Sequence, residues 1–282
     1  MNLGESVYRL KSHLQSEGIE GLAVDLDDTS YHTSDAYHDL LSERFPSPEK
    51  LTRDQARKHF ALTGKILYWG GIPEAKAAAY SKVDDPEFHS SIMPITDAIV
   101  RINELEQKRL MACYLTARTE NLRWVTEVSL TQHNFPRLPL GMKSKDIDFE
   151  NSAEWKAAAL DYLFPHVNGI IDNDARVARA LEEMEYSGRV FLIGVKIGLA
   201  GLPVNRLVAY SLRSPASLIL STQEFHNVYG VCSANHHSLE WWNSPRLNEQ
   251  EYLPNKITTP AESWSELIDR IIKMRETVLP TP

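Results

Sequence analysis

Hydrophobic residues occur in short apolar runs separated by segments with helical spacing. Four of the runs predict buried strands: IEGLAVDL (19–26), RLMACYLT (109–116), VNGIID (167–172) and RVFLIGV (189–195). A weaker run, PRLPLGM (136–142), is a further strand candidate. Because predicted helices separate these runs, we expect a mostly parallel sheet with helices on both faces. The predicted fold class is therefore α/β, doubly wound and Rossmann-like.

The helical segments are marked by apolar stripes and by residues that start or stop helices. The predicted helices cover residues 4–17, 94–105, 119–133, 154–164, 175–186 and 264–272. Thr119 is a predicted N-cap, and Asn151 with Glu154 three residues later has the form of a capping box. Gly18 and Gly188 are predicted to end the helices that precede them.

Two long segments interrupt the alternation and define the predicted domains. Residues 1–29 and 94–200 form the predicted core, and the mostly helical residues 30–93 form an insertion. Residues 201–282 are predicted to be a C-terminal extension. Its last helix carries an apolar stripe that we expect to pack on the core: Trp264, Ile268, Ile271 and Ile272.

Composition is that of a soluble globular protein, with 282 residues, 43% hydrophobic and 24% charged. The net charge of −8 disfavours non-specific binding to nucleic acid or to anionic membranes. There is no apolar run of membrane-spanning length, and the first residues lack a signal-peptide core. Cys113 is predicted to be a core residue, and no disulfide framework is expected. We therefore expect a cytoplasmic protein without membrane or nucleic-acid partners, and make no prediction of oligomeric state.

Acidic residues cluster where the first strand ends, in LAVDLDDTSYHT (22–33). Asp25, Asp27 and Asp28 repel one another, so sharing a buried site requires a cation or hydrogen bonds. A solvated turn is the alternative, since Asp is common in turns. Thr116 and Asp172 also end predicted strands, and ligands of open α/β sheets bind beyond the carboxyl ends of the strands. The placement favours one shared site.

These residue types suit phosphoryl transfer, in which negative charge must be met by cations and hydrogen-bond donors. Asp25 is the candidate nucleophile and a ligand for a hard cation, and Asp27 is the candidate acid and base. The Thr116 hydroxyl and the Ala117 amide are candidate donors to a phosphoryl oxygen. For Thr116, a plain helix N-cap is the alternative.

Four short motifs follow one another along the chain: DLDDT (Asp25–Thr29), YLTAR with Thr116, EWKAAAL with Lys156, and IIDND with Asp172. Together, in this order, they resemble the motifs of haloacid dehalogenase (HAD) superfamily phosphatases. The resemblance covers residues of about 19–195, and residues 201–282 do not take part. It implies a HAD core whose insertion at residues 30–93 is a helical lid of the C1 type.

The resemblance also implies roles for individual residues. Mg²⁺ would be bound by the carboxylates of Asp25 and Asp172 and by the backbone carbonyl of Asp27. Lys156 would offset the negative charge of nucleophile and phosphate, with Lys143 and Lys145 as competing lysines.

Two further positions stay open. Arg118 is a candidate substrate contact, and a solvated surface arginine is the alternative. Where the family often has two adjacent acids, this chain has Asn173 followed by Asp174. Asn173 offers a carbonyl oxygen as a ligand, whereas Asp174 is equally suited to capping the next helix.

The predicted function is a Mg²⁺-dependent phosphatase that hydrolyses small phosphate monoesters through an aspartyl-phosphate on Asp25. One alternative is a HAD-fold binding or regulatory domain with little turnover, and another is a phosphatase acting on nucleotides or nucleic-acid ends. Two weaker hypotheses concern other segments. Cys232, His236 and His237 have poor spacing for a zinc site. Trp69 precedes two glycines of a candidate flexible turn, although a buried core tryptophan is favoured.

Overall fold

The structure is a computed structural model that describes residues 2–46, 52–53, 69, 72–148, 151–193, 258–261 and 263–278. The chain divides into two compact units. The first comprises Met1–His32, Asp84–Val195 and Pro254–Pro282, and the second comprises Thr33–Val83 and Lys196–Leu253. The zinc hypothesis at residues 232–237 and the glycine turn at residues 70–71 lie outside the described residues.

A six-stranded parallel sheet forms the centre of the first unit, in the order β3-β2-β1-β4-β5-β6. The strands are β1 (Gly21–Val24), β2 (Met111–Thr119), β3 (Leu140–Lys143), β4 (Val167–Asp172), β5 (Arg189–Ile193) and β6 (Thr258–Ala261). Every residue of β1 is buried, as expected for the centre of a parallel sheet covered on both faces. Gly21 is required there, because an added Cβ would lie 2.5 Å from the Leu110 carbonyl oxygen.

Nine α-helices lie in the part of the chain that the structure describes. They are α1 (Glu5–Glu17), α2 (Thr33–Arg44), α3 (Pro73–Tyr80), α4 (Pro86–Ser91), α5 (Thr96–Gln107), α6 (Arg123–Gln132), α7 (Ser152–Leu163), α8 (Ala175–Glu183) and α9 (Trp264–Val278). Helix α1 precedes β1, α9 follows β6, and the others lie between strands along the chain. Helices α1, α7 and α8 form one packed group against the sheet, and α5 packs with α9. Strand order runs outward from β1 in both directions, so right-handed crossovers place the connecting helices on opposite faces. The predicted doubly wound α/β fold is confirmed.

Several local predictions about helix ends are decided by the structure. Gly18 ends α1 in the left-handed conformation, with φ of 63°, as predicted. Asn151 is the N-cap residue of α7, but the predicted capping box is wrong, because its side chain makes no capping hydrogen bond. Gly188 is also not the end of its helix, since α8 stops at Glu183 with Met184 as its C-cap.

Strand β2 continues past its predicted end at Thr116. Its pairing with β3 shifts between Thr116 and Thr119, which marks a bulge, and the strand then runs to Thr119. A short 3₁₀ helix, Glu120–Leu122, follows before α6, and Thr119 makes no side-chain cap to it. The predicted role of Thr119 as an N-cap is therefore wrong; its hydroxyl contacts Asp84 and Asn121 instead.

The C-terminal residues add a strand and a helix to the first unit. Strand β6 pairs with β5 at the sheet edge and was not predicted from the sequence. The predicted last helix is confirmed as α9, in which Trp264, Leu267 and Ile268 are buried. The indole N–H of Trp264 donates to the carbonyl oxygen of Thr29 at 3.1 Å.

The described part of the second unit is helical. Trp69 is buried, as favoured, and its indole N–H donates to the Phe45 carbonyl at 2.8 Å. Its ring meets His38 edge to face, with centroids 5.5 Å apart. Among the residues that the structure describes, no helix combines the length and apolar character needed to cross a membrane.

Candidate active site

The candidate site lies where β1 and β4 end, the point at which the strand order reverses direction. Asp25 follows β1 directly, and its backbone N–H donates to the Ile171 carbonyl of β4 at 2.9 Å. Asp172 is the last residue of β4. Both side chains are buried, with Asp25 3% and Asp172 0% exposed. Adjacent parallel strands that end in acids thus bring two carboxylates together in the crevice where α/β proteins bind ligands.

Lys156 of α7 lies between these two carboxylates. Its ammonium nitrogen is 2.9 Å from Asp25 Oδ1 and 2.7 Å from Asp172 Oδ2. We call these three residues the Lys156 centre. The contact to Asp172 is a directed hydrogen bond, whereas Asp25 Oδ1 has an ion-pair contact without hydrogen-bond geometry and no other donor. One buried cation therefore faces two buried carboxylates, and the centre lacks one positive charge.

Burial and charge shift the pKa values of all three groups. Burial raises the pKa of Asp25 to about 8, because the attraction of Lys156 offsets only part of it and Asp172 and Asp27 repel. Burial also raises the pKa of Asp172, again against Lys156. For Lys156, burial lowers the ammonium pKa, but attraction by Asp172 and Asp25 outweighs it and the net pKa is raised. The lysine is therefore charged at neutral pH, and the charge deficit falls on Asp25, which stays mostly protonated there in the absence of a further cation.

Two hydroxyl residues contact Asp25, one at its backbone carbonyl and one at its side chain. Ser30 Oγ donates to the backbone carbonyl of Asp25 at 2.8 Å. Thr29 Oγ1 lies 3.1 Å from Asn173 Oδ1 and 3.5 Å from Asp25 Oδ2, so it links the ends of β1 and β4. Neither role was predicted, because the sequence shows only a polar turn at these positions.

Asp27 is paired with Arg118 of β2, and we call these two residues the Arg118 pair. Arg118 Nε lies 3.1 Å from both carboxylate oxygens, and Nη2 lies 2.7 Å from Oδ1. Arg118 is buried, so it is not the solvated surface arginine considered above. Asp27 acts electrostatically on Asp25, which places the pair beside the Lys156 centre.

Thr116 and Ala117 lie at the β2 bulge. Thr116 is fully buried, and its Oγ1 accepts a hydrogen bond from the Arg118 backbone N–H at 3.2 Å. Ala117, the other candidate donor, lies within β2, and the following 3₁₀ helix begins at Glu120. Bulges next to binding sites redirect side chains, and here the bulge sends Thr116 and Arg118 into one buried network.

The two residues after Asp172 have separate tasks. Asn173 accepts from Thr29, as described above. Asp174 caps α8, because its side chain accepts from the Arg176 backbone N–H at 3.0 Å, and it also pairs with the Arg176 guanidinium. The helix-capping alternative for Asp174 is therefore confirmed.

The competing lysines are not at this centre. Lys143 is buried at the end of β3, where its ammonium donates to the Ile147 carbonyl, and burial lowers its pKa. Lys145 is exposed. Of the three candidate lysines, Lys156 contacts the two strand-end carboxylates.

The residues at this site fit a divalent cation bound by oxygen atoms. Within the described ranges, no cluster of three or more His, Cys, Asp or Glu side chains is arranged to hold a metal ion. The set implied for Mg²⁺ needs only two such side chains, Asp25 and Asp172, together with the Asp27 backbone carbonyl. The buried oxygen Asp25 Oδ1 accepts no hydrogen bond of normal geometry, and the centre has two acidic groups for one cation. Mg²⁺ prefers such oxygen ligands, so the donor set is suitable.

Comparisons with known proteins give little further identification. No protein-family model and no curated protein matches the chain. Among solved structures, one match is described as "Putative beta-phosphoglucomutase from Bacteroides vulgatus". It is 14% identical, covers 85% of this chain and 98% of the other, and has a TM-score of 0.39. The sequence identity and the TM-score are both low, so this match carries no argument here. The α/β fold is established by the chain's own strand order.

Proposed function

We propose that this protein is a Mg²⁺-dependent phosphatase of the HAD type, which hydrolyses small phosphate monoesters through an aspartyl-phosphate on Asp25. The observation that carries the proposal is the Lys156 centre, in which Asp25 and Asp172 from adjacent strand ends share one buried ammonium. Asp27 stands two residues after the nucleophile, beside the centre. This is the arrangement that the HAD resemblance implies.

Each residue has a distinct task in the proposed reaction. A carboxylate oxygen of Asp25 attacks phosphorus, and the ester oxygen leaves as the bond to phosphorus breaks. Asp27 gives a proton to that leaving oxygen and later takes one from the water that hydrolyses the aspartyl-phosphate. Lys156 compensates negative charge on Asp25 and on the phosphoryl oxygens.

Thr116 and Ala117 are the proposed phosphoryl donors. The Thr116 oxygen already accepts from the Arg118 backbone N–H, which leaves its hydroxyl hydrogen to donate to a phosphoryl oxygen. Mg²⁺ held by Asp25, Asp172 and the Asp27 carbonyl would supply the positive charge that the centre lacks. The charge deficit on Asp25 supports this part of the proposal.

The test is a screen of phosphate monoesters with Mg²⁺, using Asp25→Asn as the blank. We expect turnover of at least one small ester, loss of that turnover on chelation, and recovery when Mg²⁺ is added back. Ca²⁺ should restore it poorly, because it prefers more ligands and looser geometry. Full activity in metal-stripped protein, or in Asp25→Asn, would refute the proposal.

One observation favours the second candidate, a HAD-fold binding domain with little turnover. Both oxygens of Asp27 contact the Arg118 guanidinium, so the proposed acid and base is already engaged. A binding domain would retain a phosphate analogue in the presence of Mg²⁺ and show no turnover of any ester in the screen. Binding to oligonucleotides that weakens with salt would instead favour the nucleic-acid alternative.

A further inference from the structure

The structure holds a second ion pair beside the nucleophile, and its two members differ sharply in exposure. The side chain of Arg118 is 1% exposed, whereas that of Asp27 is 29% exposed. Of the two, the carboxylate is the member that solvent reaches, and the guanidinium directs both Nε and Nη2 at it. Arg118 is placed to act on the substrate through Asp27 and without touching it.

The guanidinium contacts Asp27 as a fork, which fixes direction as well as distance. Nε lies 3.1 Å from both oxygens and Nη2 lies 2.7 Å from Oδ1. Contacts from two nitrogens of one rigid plane restrict rotation of the carboxylate, which a single contact from a lysine would not do.

Arg118 also contacts two residues other than Asp27, namely Tyr31 and Thr126. Its guanidinium carbon lies 5.1 Å from the centre of the Tyr31 ring, and Nη1 lies 3.5 Å from Thr126 Oγ1. The Tyr31 hydroxyl in turn accepts from Ser129 Oγ at 3.1 Å. Tyr31, Ser129 and Thr126 are all buried, so these contacts to Arg118 lie in the packed interior.

The loop that carries Asp27 also contains Tyr31, one of the residues that contact Arg118, and hydrogen bonds within the loop join Tyr31 to the residues on either side of Asp27. The Asp28 backbone has φ of 58°, and its N–H donates to the Tyr31 carbonyl at 2.8 Å. The backbone N–H groups of Ser30 and Tyr31 both donate to the Leu26 carbonyl, at 2.8 and 2.9 Å. Tyr31 thus fixes both the backbone next to Asp27 and the arginine that directs its side chain.

We infer that Arg118 is a positioning residue, which holds the Asp27 carboxyl group toward the leaving oxygen and does not bind substrate. The inference rests on the proposed phosphatase function, and it replaces the substrate contact expected from the sequence. Its consequence is selective. Loss of the fork should weaken proton transfer by Asp27 and leave phosphate binding by Lys156 and Thr116 in place.

The first measurement tests the pair without using activity. Unfolding equilibrium constants are determined in urea for Asp27→Asn, Arg118→Met and the double variant. We expect the two single effects to depart from independence by tenfold or more, since removing one partner of a buried pair strands the other. Glu5→Gln and Arg9→Met remove an exposed pair with a 3.5 Å contact and should combine independently.

The second measurement separates positioning from substrate binding and from a structural role. Rates are compared for an alkyl phosphate, whose poor leaving group needs an acid, and an aryl phosphate, which needs it less. In Arg118→Lys we expect kcat for the alkyl ester to fall at least tenfold more than for the aryl ester, with KM nearly unchanged. Arg118→Met should show a larger disproportion, and Arg9→Lys should show none.

Each outcome decides the inference. Independent single effects in urea would show that the pair is not formed. A rise in KM with equal losses on both esters would assign Arg118 to substrate binding. Equal losses with unchanged KM, matched by a smaller fraction of folded protein, would assign it to stability alone. A clear coupling in urea without turnover by the unsubstituted protein would instead overturn the proposed function, and with it the positioning role.

Discussion

The Lys156 centre and the Arg118 pair lie side by side, yet they handle charge in opposite ways. In the centre, one ammonium faces two carboxylates, and all three side chains are buried. In the pair, one guanidinium faces one carboxylate, and the carboxylate is partly exposed. The pair has one cation for one carboxylate, whereas the centre has one cation for two acidic groups, and Asp25 keeps its proton at neutral pH unless a further cation binds.

The difference indicates that the Lys156 centre is suited to binding a further cation, whereas the Arg118 pair already has its full set of partners. Buried carboxylates without full compensation are unfavourable, so a protein that retains them is expected to gain stability on binding a cation. A balanced fork gains nothing further from a cation, and its value lies in geometry. Substitutions in the two places should therefore differ in size and in kind.

The largest expected contrast is between the two carboxylates of the DLDDT motif. Asp25→Asn removes the nucleophile, and we expect no phosphoryl transfer to the protein. Asp27→Asn should slow turnover by about 10²–10⁴-fold, the usual contribution of general acid–base catalysis. With an aryl phosphate and Mg²⁺, its first step should survive better than its second, so a phosphorylated protein should accumulate.

Rapid quenching followed by intact-mass measurement detects the added phosphoryl group in Asp27→Asn. Asp25→Asn serves as the control and should carry none. Normal turnover by Asp27→Asn, or label on Asp25→Asn, would show that the assigned roles are wrong.

The next contrast concerns stability. Lys156→Met leaves two buried carboxylates without a cation and should lower the free energy of unfolding by about 3–5 kcal/mol at neutral pH. Arg118→Met should cost less, because Asp27 retains access to water. Urea unfolding measures both, and Lys145→Met, at an exposed position, should stay within about 0.5 kcal/mol. A loss for Lys156→Met no larger than for Lys145→Met would contradict the charge deficit.

A third prediction concerns pH in the presence of a chelator. The folded pKa of Asp25 is about 8, against an ordinary value of 3.8. Between these values the folded state keeps a proton that the unfolded state releases, so stability should fall as pH rises through this window. Asp25→Asn should flatten that decline in urea unfolding curves. A decline of the same slope in the variant would assign the effect to other groups.

The smallest expected effects come from two threonines. Thr29→Val removes a hydroxyl that lies 3.1 Å from Asn173, and should cost about 0.5–1.5 kcal/mol, as for a typical hydrogen bond. Thr126→Val removes a longer 3.5 Å contact to Arg118 and should cost less. Thermal unfolding of the two variants ranks their losses of stability. A larger loss of stability for Thr126→Val than for Thr29→Val would contradict the prediction.

Much of the fold could be predicted because its strands are buried on both faces and appear as apolar runs. The run VNGIID gave β4 with its observed bounds, Val167–Asp172. Strand β6 escaped prediction because Thr258–Ala261 is short, contains Pro260 and lies at the sheet edge, where proline is tolerated and no apolar run is needed.

The candidate site could be predicted in part for a related reason. Asp25 and Asp172 directly follow or end recognisable strands, so sheet geometry alone predicts that they meet. The partner of Arg118 could not be found in this way, because Asp27 is 91 residues distant and the β2 bulge that turns Arg118 inward leaves no mark in the sequence. Ser30 and Thr29 read only as turn residues, since their acceptors are set by the folded loop.

The hydrogen bond between Trp264 and Thr29 has a consequence for the order in which the protein assembles. The loop that carries Asp25 and Thr29 is made early, but the indole that donates to the Thr29 carbonyl is 235 residues further along the chain. At a synthesis rate of about 5–20 residues per second, the loop waits roughly 12–47 s for this contact. Strand β6 and helix α9 arrive in the same interval. During synthesis the loop of the candidate site is therefore present long before its hydrogen bond to Trp264 can form, and the last helix supplies that contact.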